Sequence, residues 1–346
     1  MLIPILLLAL GFILLIKGGD WFVDGATGIA RRFHLPEILI GATVVSIGTT
    51  LPEVMVSSGA ALQGSGSIAY GNAIGSIICN TALIAAITIA IKPGPAARKS
   101  LILPVSFFFG AAVFYSAIAY FTGYFSRVTG ILLLSAFIVY MVLTVSKMKK
   151  TAADIGTVVF EEKEGPVISE AELEAQSGED HVVETDGKKD SLLKDILLLV
   201  IGAALIAVGA DLLVDNAIII AEKLGVSEKV IGLTIVALGT SLPELVTAIT
   251  SLIKGHGSLS LGNIIGANLF NLVLVSGAAV TINPFNVPVS STINGINSSL
   301  IIDIPIMLLV MAIMTIPTII KEKISRWQGI LLLGIYTAFL VLQFVI

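Results

Sequence analysis

The sequence predicts an all-α membrane protein with ten transmembrane helices in two inverted five-helix repeats. Three observations carry this expectation. The chain is 56% hydrophobic and only 13% charged, with a mean hydropathy of +1.00, whereas soluble domains average about 25% charged. Apolar runs repeatedly reach the ~20 residues that cross ~30 Å of hydrocarbon as a helix, and the ~10-residue alternating segments of a membrane β-barrel are missing. Finally, a 44-residue stretch occurs twice without a gap, 41–84 and 232–275, offset by 191 positions with 17 identities.

The predicted helices cover 2–31, 36–62, 67–91, 101–122, 127–147, 191–221, 227–253, 258–281, 298–319 and 327–346. No basic segment precedes Lys17, so Met1–Ile16 reads as part of a retained first helix, not a removed signal. Five helices precede the polar stretch 148–190 and five follow it. An odd number per half forces the halves to insert in opposite orientations. The expected units are therefore 1–147, the acidic linker 148–190, and 191–346. Lys and Arg placement orients them. With the N-terminus outside, inside segments hold sixteen such residues, from Arg31 and Arg32 to Lys321, Lys323 and Arg326; outside loops hold three, Arg127, Lys223 and Lys229. Both termini are expected outside the cell (inner) membrane, and the long loop in the cytoplasm.

The repeat extends upstream at the same offset: Gly11 matches Gly202, Asp20 matches Asp211, Asp24 matches Asp215, and Ile40 matches Ile231. The first three helices of each half form the duplicated unit; the remaining two match only in hydropathy and read as outer support. The linker, rich in Glu, Asp, Lys and Gly, has the composition of a flexible segment. It lacks the spacing of an EF-hand loop and is too short for a β-sandwich.

The chemistry lies in the duplicated motif. Gly41–Glu53 reads GATVVSIGTTLPE and Gly232–Glu244 reads GLTIVALGTSLPE. Proline lacks an N–H and clashes with the carbonyl four residues back. Pro52 and Pro243 should bend or break their helices near Gly48–Thr49 and Gly239–Thr240, freeing carbonyls that must face protein, water or an ion. Each break sits beside one mid-membrane glutamate, Glu53 or Glu244. An acidic side chain there costs about 2.5–3.5 kcal/mol on insertion scales and is a functional-site hypothesis by default. The following helices, carrying GNAIGSIICN (Gly71–Asn80) and GNIIGANLFN (Gly262–Asn271), add oxygen. Ser76 and Asn80 share a face, as do Ala267 and Asn271. Gly71, Gly75, Gly262 and Gly266 read as close-packing positions.

Two carboxylates with carbonyls, hydroxyls and amides make a hard-oxygen site suited to Ca2+ or Na+, not to soft metals. Their charge balances one Ca2+ or two Na+. Competition at one site, with alternating access, is the physical basis of exchange. Single Cys79 rules out an intramolecular disulfide and a multi-cysteine metal site, and reads as an apolar filler. Nucleic-acid binding has no basic patch to support it. No cofactor and no required protein partner are evident beyond the transported ions and the lipid bilayer. Asp20, Asp24, Asp211 and Asp215 are expected to cap, pair or face water. Asp303, before Pro305, reads as a helix-bend residue. No pair among His34, His181 and His256 has metal spacing.

These motifs strongly resemble the two alpha repeats of the sodium/calcium exchanger family, within the cation/calcium antiporter superfamily. The resemblance implies Ca2+ ligation by Glu53 and Glu244 with the carbonyls of Thr49 and Thr240. It further implies Na+ sites using the Thr49 and Thr240 hydroxyls, Ser76, and the carbonyls of Ser46 and Ala237, with Asn80 and Asn271 lining the centre. Two positions depart from the family pattern. Ala267 stands where many members have serine, and Asn271 where potassium-dependent members carry aspartate, which argues against K+ co-transport.

The leading expectation is a Na+/Ca2+ antiporter. A Ca2+/H+ antiporter on the same scaffold stays open, since two desolvated, mutually repelling carboxylates tend to take up protons. The hydroxyls of Thr49, Thr50, Thr240 and Ser241 favour Na+ ligation instead. A cation channel would need a continuous pore, which broken helices in inverted repeats fit less well. The chain has neither H-E-x-x-H nor G-x-S-x-G, so an enzyme is not expected.

Overall fold

A computed structural model describes residues 2–161, 192–224, 239–289, 292–293 and 295–345. The helices, in order, are α1 Leu2–Arg32, α2 Glu37–Leu62, α3 Gly66–Ile91, α4 Arg98–Thr122, α5 Arg127–Glu161 and α6 Leu192–Lys223. Then come α7 Leu242–Ile253, α8 Gly257–Ile282, α9 Ser299–Lys321 and α10 Arg326–Val345. Among the described residues, nine helices are long and apolar enough to cross a membrane, and α7 is a shorter apolar helix. The first half of the predicted seventh helix lies outside the described residues.

Two expectations about boundaries change. Helix α5 continues to Glu161, so the first part of the expected linker is helical backbone; 162–191 lie outside the described residues. Two short antiparallel ladders also interrupt the all-helical picture. Strands β1 (Tyr124–Phe125) and β2 (Phe285–Asn286) pair, and β3 (Thr292–Ile293) pairs with β4 (Ile296–Asn297). All four lie in connections, where the chain has left its helices and backbone groups need new partners.

The inverted repeat is visible in packing. Helices α1 and α6 run antiparallel with backbones in contact. A Cβ on Gly11 would stand 2.8 Å from the Gly209 carbonyl oxygen, and one on Gly18 would stand 2.9 Å from that of Gly202. At the repeat offset Gly11 corresponds to Gly202 and Gly18 to Gly209. The two contacts are therefore one contact seen twice, as a two-fold axis requires. The outer helices cross over between halves. Gly130 of α5 seats on Thr281 of α8, and Gly329 of α10 seats on Ala86 and Ala90 of α3. Each half's outer layer thus braces the other half's inner helices.

The two ends of the bundle differ in charge. At one end Arg32 meets Asp195 at 3.1 Å, Lys254 meets Asp24 at 2.7 Å and Asp20 at 3.5 Å, and His256 Nδ1 lies 2.7 Å from Glu37 Oε1. Asp20 and Asp24 are thus paired, as expected, while Asp211 and Asp215 are exposed. The other end carries β1–β2 and the bond from Asn283 Nδ2 to the Ala61 carbonyl, 3.1 Å. The ion pairs are unequal. Asp195 has a side chain only 8% exposed, so Arg32→Met should cost about 2 kcal/mol by stranding a nearly buried carboxylate. Lys254→Met breaks more exposed pairs and should cost less than about 1 kcal/mol. Denaturant unfolding in detergent measures both; equal costs would contradict this ranking.

Candidate cation site

Helices α2 and α7 carry the two glutamates, and the repeat motif takes different local forms in them. In α2 the chain makes a π-turn at Gly41–Val45 and then an unbroken α-helix, Ser46–Leu62, with Pro52 inside it. Of the bend or break expected near Gly48–Thr49, the break does not occur. Pro52 removes one donor, that of Gly48's carbonyl, and the packed surroundings hold the rest: Thr49, Thr50 and Glu53 are all buried. In the second copy Thr240 and Ser241 form a turn. There Pro243 occupies the first turn of α7, where a missing N–H is harmless. The second break is therefore as expected. Tyr140 of α5 donates to the Ala42 carbonyl at 3.0 Å, so the outer layer also secures the α2 π-turn.

Helices α3 and α8 face these segments and carry π-turns of their own, beginning at Asn80 and at Asn271. A π-turn shifts the helix register by one residue and is frequent at functional sites. Here it occurs in both copies, at the asparagines singled out from sequence.

The two motifs meet across the repeat boundary. Ser46 Oγ donates to the Asn263 carbonyl at 2.9 Å and to the Gly41 carbonyl at 2.7 Å. Thr49 Oγ1 donates to Asn263 Oδ1 at 3.2 Å, which leaves its lone pairs available. Asn72 Nδ2 donates to the Glu53 carbonyl at 3.3 Å and to Ser57 Oγ at 2.8 Å. Thr49, Pro52 and Pro243 line one void of about 10 Å³ under Phe22 of α1 and Ala203 of α6, at the lower limit for a single water. Glu53 lies within electrostatic reach of Glu244, and Cys79 lies within reach of both, beside Ser241 and Tyr336.

Burial is complete where it costs most. Glu53, Glu244, Asn80 and Asn271 are each 0% exposed. Both side-chain polar atoms of each lack a hydrogen-bond partner, as do the hydroxyls of Thr50 and Ser241. An orphaned buried polar group costs about 1–3 kcal/mol, and an unpaired charge costs far more. These residues form three pairs related by the repeat: Glu53 with Glu244, Asn80 with Asn271, Thr50 with Ser241. A hard cation between the halves would be a partner for their oxygens, the Glu carboxylates, the Asn Oδ1 atoms and the hydroxyls, while the amide nitrogens, being donors, would need water or another acceptor. Among the described residues no cluster of three His, Cys, Asp or Glu exists, so neutral oxygens must complete any such shell.

Ser76 is buried, and Thr240 is half-buried in its turn. Ala267, opposite Ser76 in the repeat, is buried and supplies no oxygen. Ala237 lies outside the described residues. Of the four glycines expected to pack closely, Gly262 and Gly266 do so: a Cβ on Gly262 would stand 2.9 Å from Ile38 Cα, and one on Gly266 2.6 Å from Ala42 Cα. A Cβ on Gly71 or Gly75 would meet nothing within 4 Å, so the packing role belongs to the second copy alone. The sequence reading missed Asn72, Asn263 and Asn268. Asn72 and Asn263 were visible as an identity beside the motif glycines. Asn268, which donates to Thr81 Oγ1 at 2.7 Å and lies 3.1 Å from Met311 Sδ, corresponds to Ile77 and gives no repeat signal.

Inverted membrane repeats that bring a pair of buried carboxylates together define a secondary transporter, not an enzyme. The chain matches the family model for sodium/calcium exchanger protein over residues 3–146 and 194–345, and it belongs to that family. It is 32% identical over 357 residues to Sodium/calcium exchanger MaX1 of Methanosarcina acetivorans, covering 99% of this chain and 98% of that protein. It is 34% identical over 336 residues to the uncharacterized membrane protein MJ0091 of Methanocaldococcus jannaschii, covering 94% and 93%. Among solved structures it is similar to the sodium-calcium exchanger NCX_Mj soaked with Na+ and Sr2+: TM-score 0.73, 32% identity, 97% of each chain covered.

Proposed function

We propose that this protein exchanges Na+ for Ca2+ across a membrane by alternating access, through one site shared between its two halves. The observation that carries this reading is the set of fully buried, unpartnered oxygens on Glu53 and Glu244, with those of Asn80 and Asn271 on π-turns that pack against the same two helices. Ca2+ is the hard divalent ion that two carboxylates neutralise; it takes 6–8 oxygen ligands. Carbonyls at Thr49 and Thr240 would complete its shell, with the Ser46 and Ala237 carbonyls and the hydroxyls of Thr49, Thr240 and Ser76 serving Na+. Thr50 and Ser241 stand beside the carboxylates as further oxygen donors. Occupancy by Ca2+ and by Na+ is mutually exclusive because the same two negative charges neutralise each.

Residues 1–147 and 191–346 are the two repeat units, joined by 148–190. The end bearing Arg32, Lys254 and Lys321 faces the cytoplasm, on the strength of the Lys and Arg excess there. Both termini then face outward from the cell membrane.

The test is uptake of isotope-labelled calcium into Na+-loaded proteoliposomes with pH clamped on both sides. Uptake should require the outward Na+ gradient and persist when protonophore removes any pH difference. Uptake driven by a proton gradient without Na+ would assign the counter-ion to H+, and uptake without any trans ion would indicate a channel.

A further inference from the structure

The repeat symmetry is broken along the line leading from each glutamate to the nearest end of the bundle. From Glu244, the α7 face continues through Thr247 and Ser251, at i+3 and i+7, toward Lys254. The α7–α8 turn brings α8 back alongside: His256 N–H donates to the Ser251 carbonyl at 2.8 Å, and Ser260 N–H donates to the His256 carbonyl at 3.2 Å. Thr247 and Ser251 are 0% exposed and Ser260 is 3% exposed. None of these three hydroxyls has a hydrogen-bond partner. Helix α1 packs on the adjacent face of α7, with Gly19 seated on Val246 and Thr250, and Lys254 ties the same end to Asp20 and Asp24.

The other half has no such series. At the repeat offset Thr247, Ser251 and Ser260 correspond to Val56, Ala60 and Ala69. Ala60 and Ala69 belong instead to a small apolar cluster with Ala61 and Ala279, flanked by Ile282 and Phe285.

Serine and threonine in a helix usually satisfy their hydroxyls on the carbonyl four residues back, as Thr43 does here at 2.7 Å. Three neighbouring hydroxyls that fail to do so, in only one half, keep their oxygens free. We propose that Thr247, Ser251 and Ser260 form a hydroxyl ladder that takes over hydration of the cation as it passes between Glu244 and the Lys254 end. The opposite passage has only one buried hydroxyl on the corresponding helix, Ser57 at i+4 from Glu53, and its oxygen is already engaged by Asn72 Nδ2 at 2.8 Å. The ladder rests on the exchange reading and adds a direction to it: ions exchanging with the Lys254 side shed and regain water stepwise, while ions at the other side do so at Glu53 itself. Buried in this state, the hydroxyls are orphaned; when that end opens, they meet the ion and its water.

The experiment compares wild type with the triple variant Thr247→Val, Ser251→Ala, Ser260→Ala in inside-out and right-side-out vesicles. Labelled calcium is titrated on one side against saturating Na+ on the other. The expected result is at least a fivefold weaker apparent Ca2+ affinity on the Lys254 side, with the opposite side unchanged. A reciprocal variant, Ala60→Ser with Ala69→Ser, covers the case of a poorly folding triple variant; it should strengthen apparent affinity on the opposite side only. A working wild type whose triple variant loses nothing, or loses equally on both sides, overturns the ladder while leaving exchange intact. A reciprocal variant that changes neither side also overturns it. No Na+-dependent flux in wild type defeats the exchange reading itself.

Discussion

Glu53→Gln and Glu244→Gln are each expected to abolish Na+-driven calcium uptake and to do so equally. Each substitution keeps the shape of the side chain and removes one of the two charges facing the ion. A unit charge at 4 Å and an effective dielectric of 20 is worth about 4 kcal/mol, close to three orders of magnitude in affinity. The ion-free protein should respond in the opposite sense. Two unpartnered carboxylates buried within reach of each other destabilise the fold, because neither is solvated and the two repel. Removing one charge should leave the ion-free protein as stable as wild type or more so, while the calcium-induced rise in Tm disappears. That contrast separates a ligand from a packing residue, which would lose stability with and without calcium. The double variant should lose little beyond either single one, since the two residues act on the same ion. Wild-type uptake in either single variant would remove that residue from the site.

Much of this was legible in the sequence, for identifiable reasons. The inverted layout followed from a gapless offset and an odd helix count. The central residues followed from the cost of placing Glu53 and Glu244 in hydrocarbon, which few explanations other than function can offset. What remained hidden was local backbone form. The same five letters around Pro52 and Pro243 give a continuous helix in one copy and a turn followed by a helix start in the other. Proline's effect depends on how firmly neighbouring elements hold the remaining turns, and no window of sequence contains those neighbours. The π-turns at Asn80 and Asn271 were hidden likewise, since a one-residue change of register leaves no compositional mark. Asn263 shows a third limit. Its carbonyl and side chain receive Ser46 and Thr49 from the other half, a role set by a contact more than 200 positions away in the chain. The hydroxyls of Thr247 and Ser251 were unremarkable as letters, because Ser and Thr are common in membrane helices. Only their lack of partners distinguishes them.

The seam between α1 and α6 sets the second large expectation, because its tolerance for added atoms is close to nil. A Cβ on Gly202 would stand 2.5 Å from the Phe22 nitrogen and 2.8 Å from the Gly18 oxygen and Phe22 Cα, all backbone atoms. Backbone cannot rotate aside as a side chain can, so Gly202→Ala must push the helices apart. Overpacking of this kind costs about 1–3 kcal/mol, and Gly202→Val should exceed the upper end. The damage reaches the site through Phe22, which lies against Gly48 and lines the void between the two prolines. Transport should therefore fall together with stability. Gly11 occupies the symmetry-equivalent place, so Gly11→Ala should cost about the same as Gly202→Ala. The pair Gly11→Ala, Gly209→Ala should cost less than the sum of its parts, since one contact is widened once. Gly110 of α4 provides the control: nothing lies within 4 Å of its added Cβ, and alanine is the better helix former by about 1 kcal/mol. Thermal unfolding of these five variants and of Gly209→Ala alone, in detergent, decides the matter. If Gly202→Ala proves as harmless as Gly110→Ala, the direct backbone contact that displays the two-fold relation between the halves is wrong.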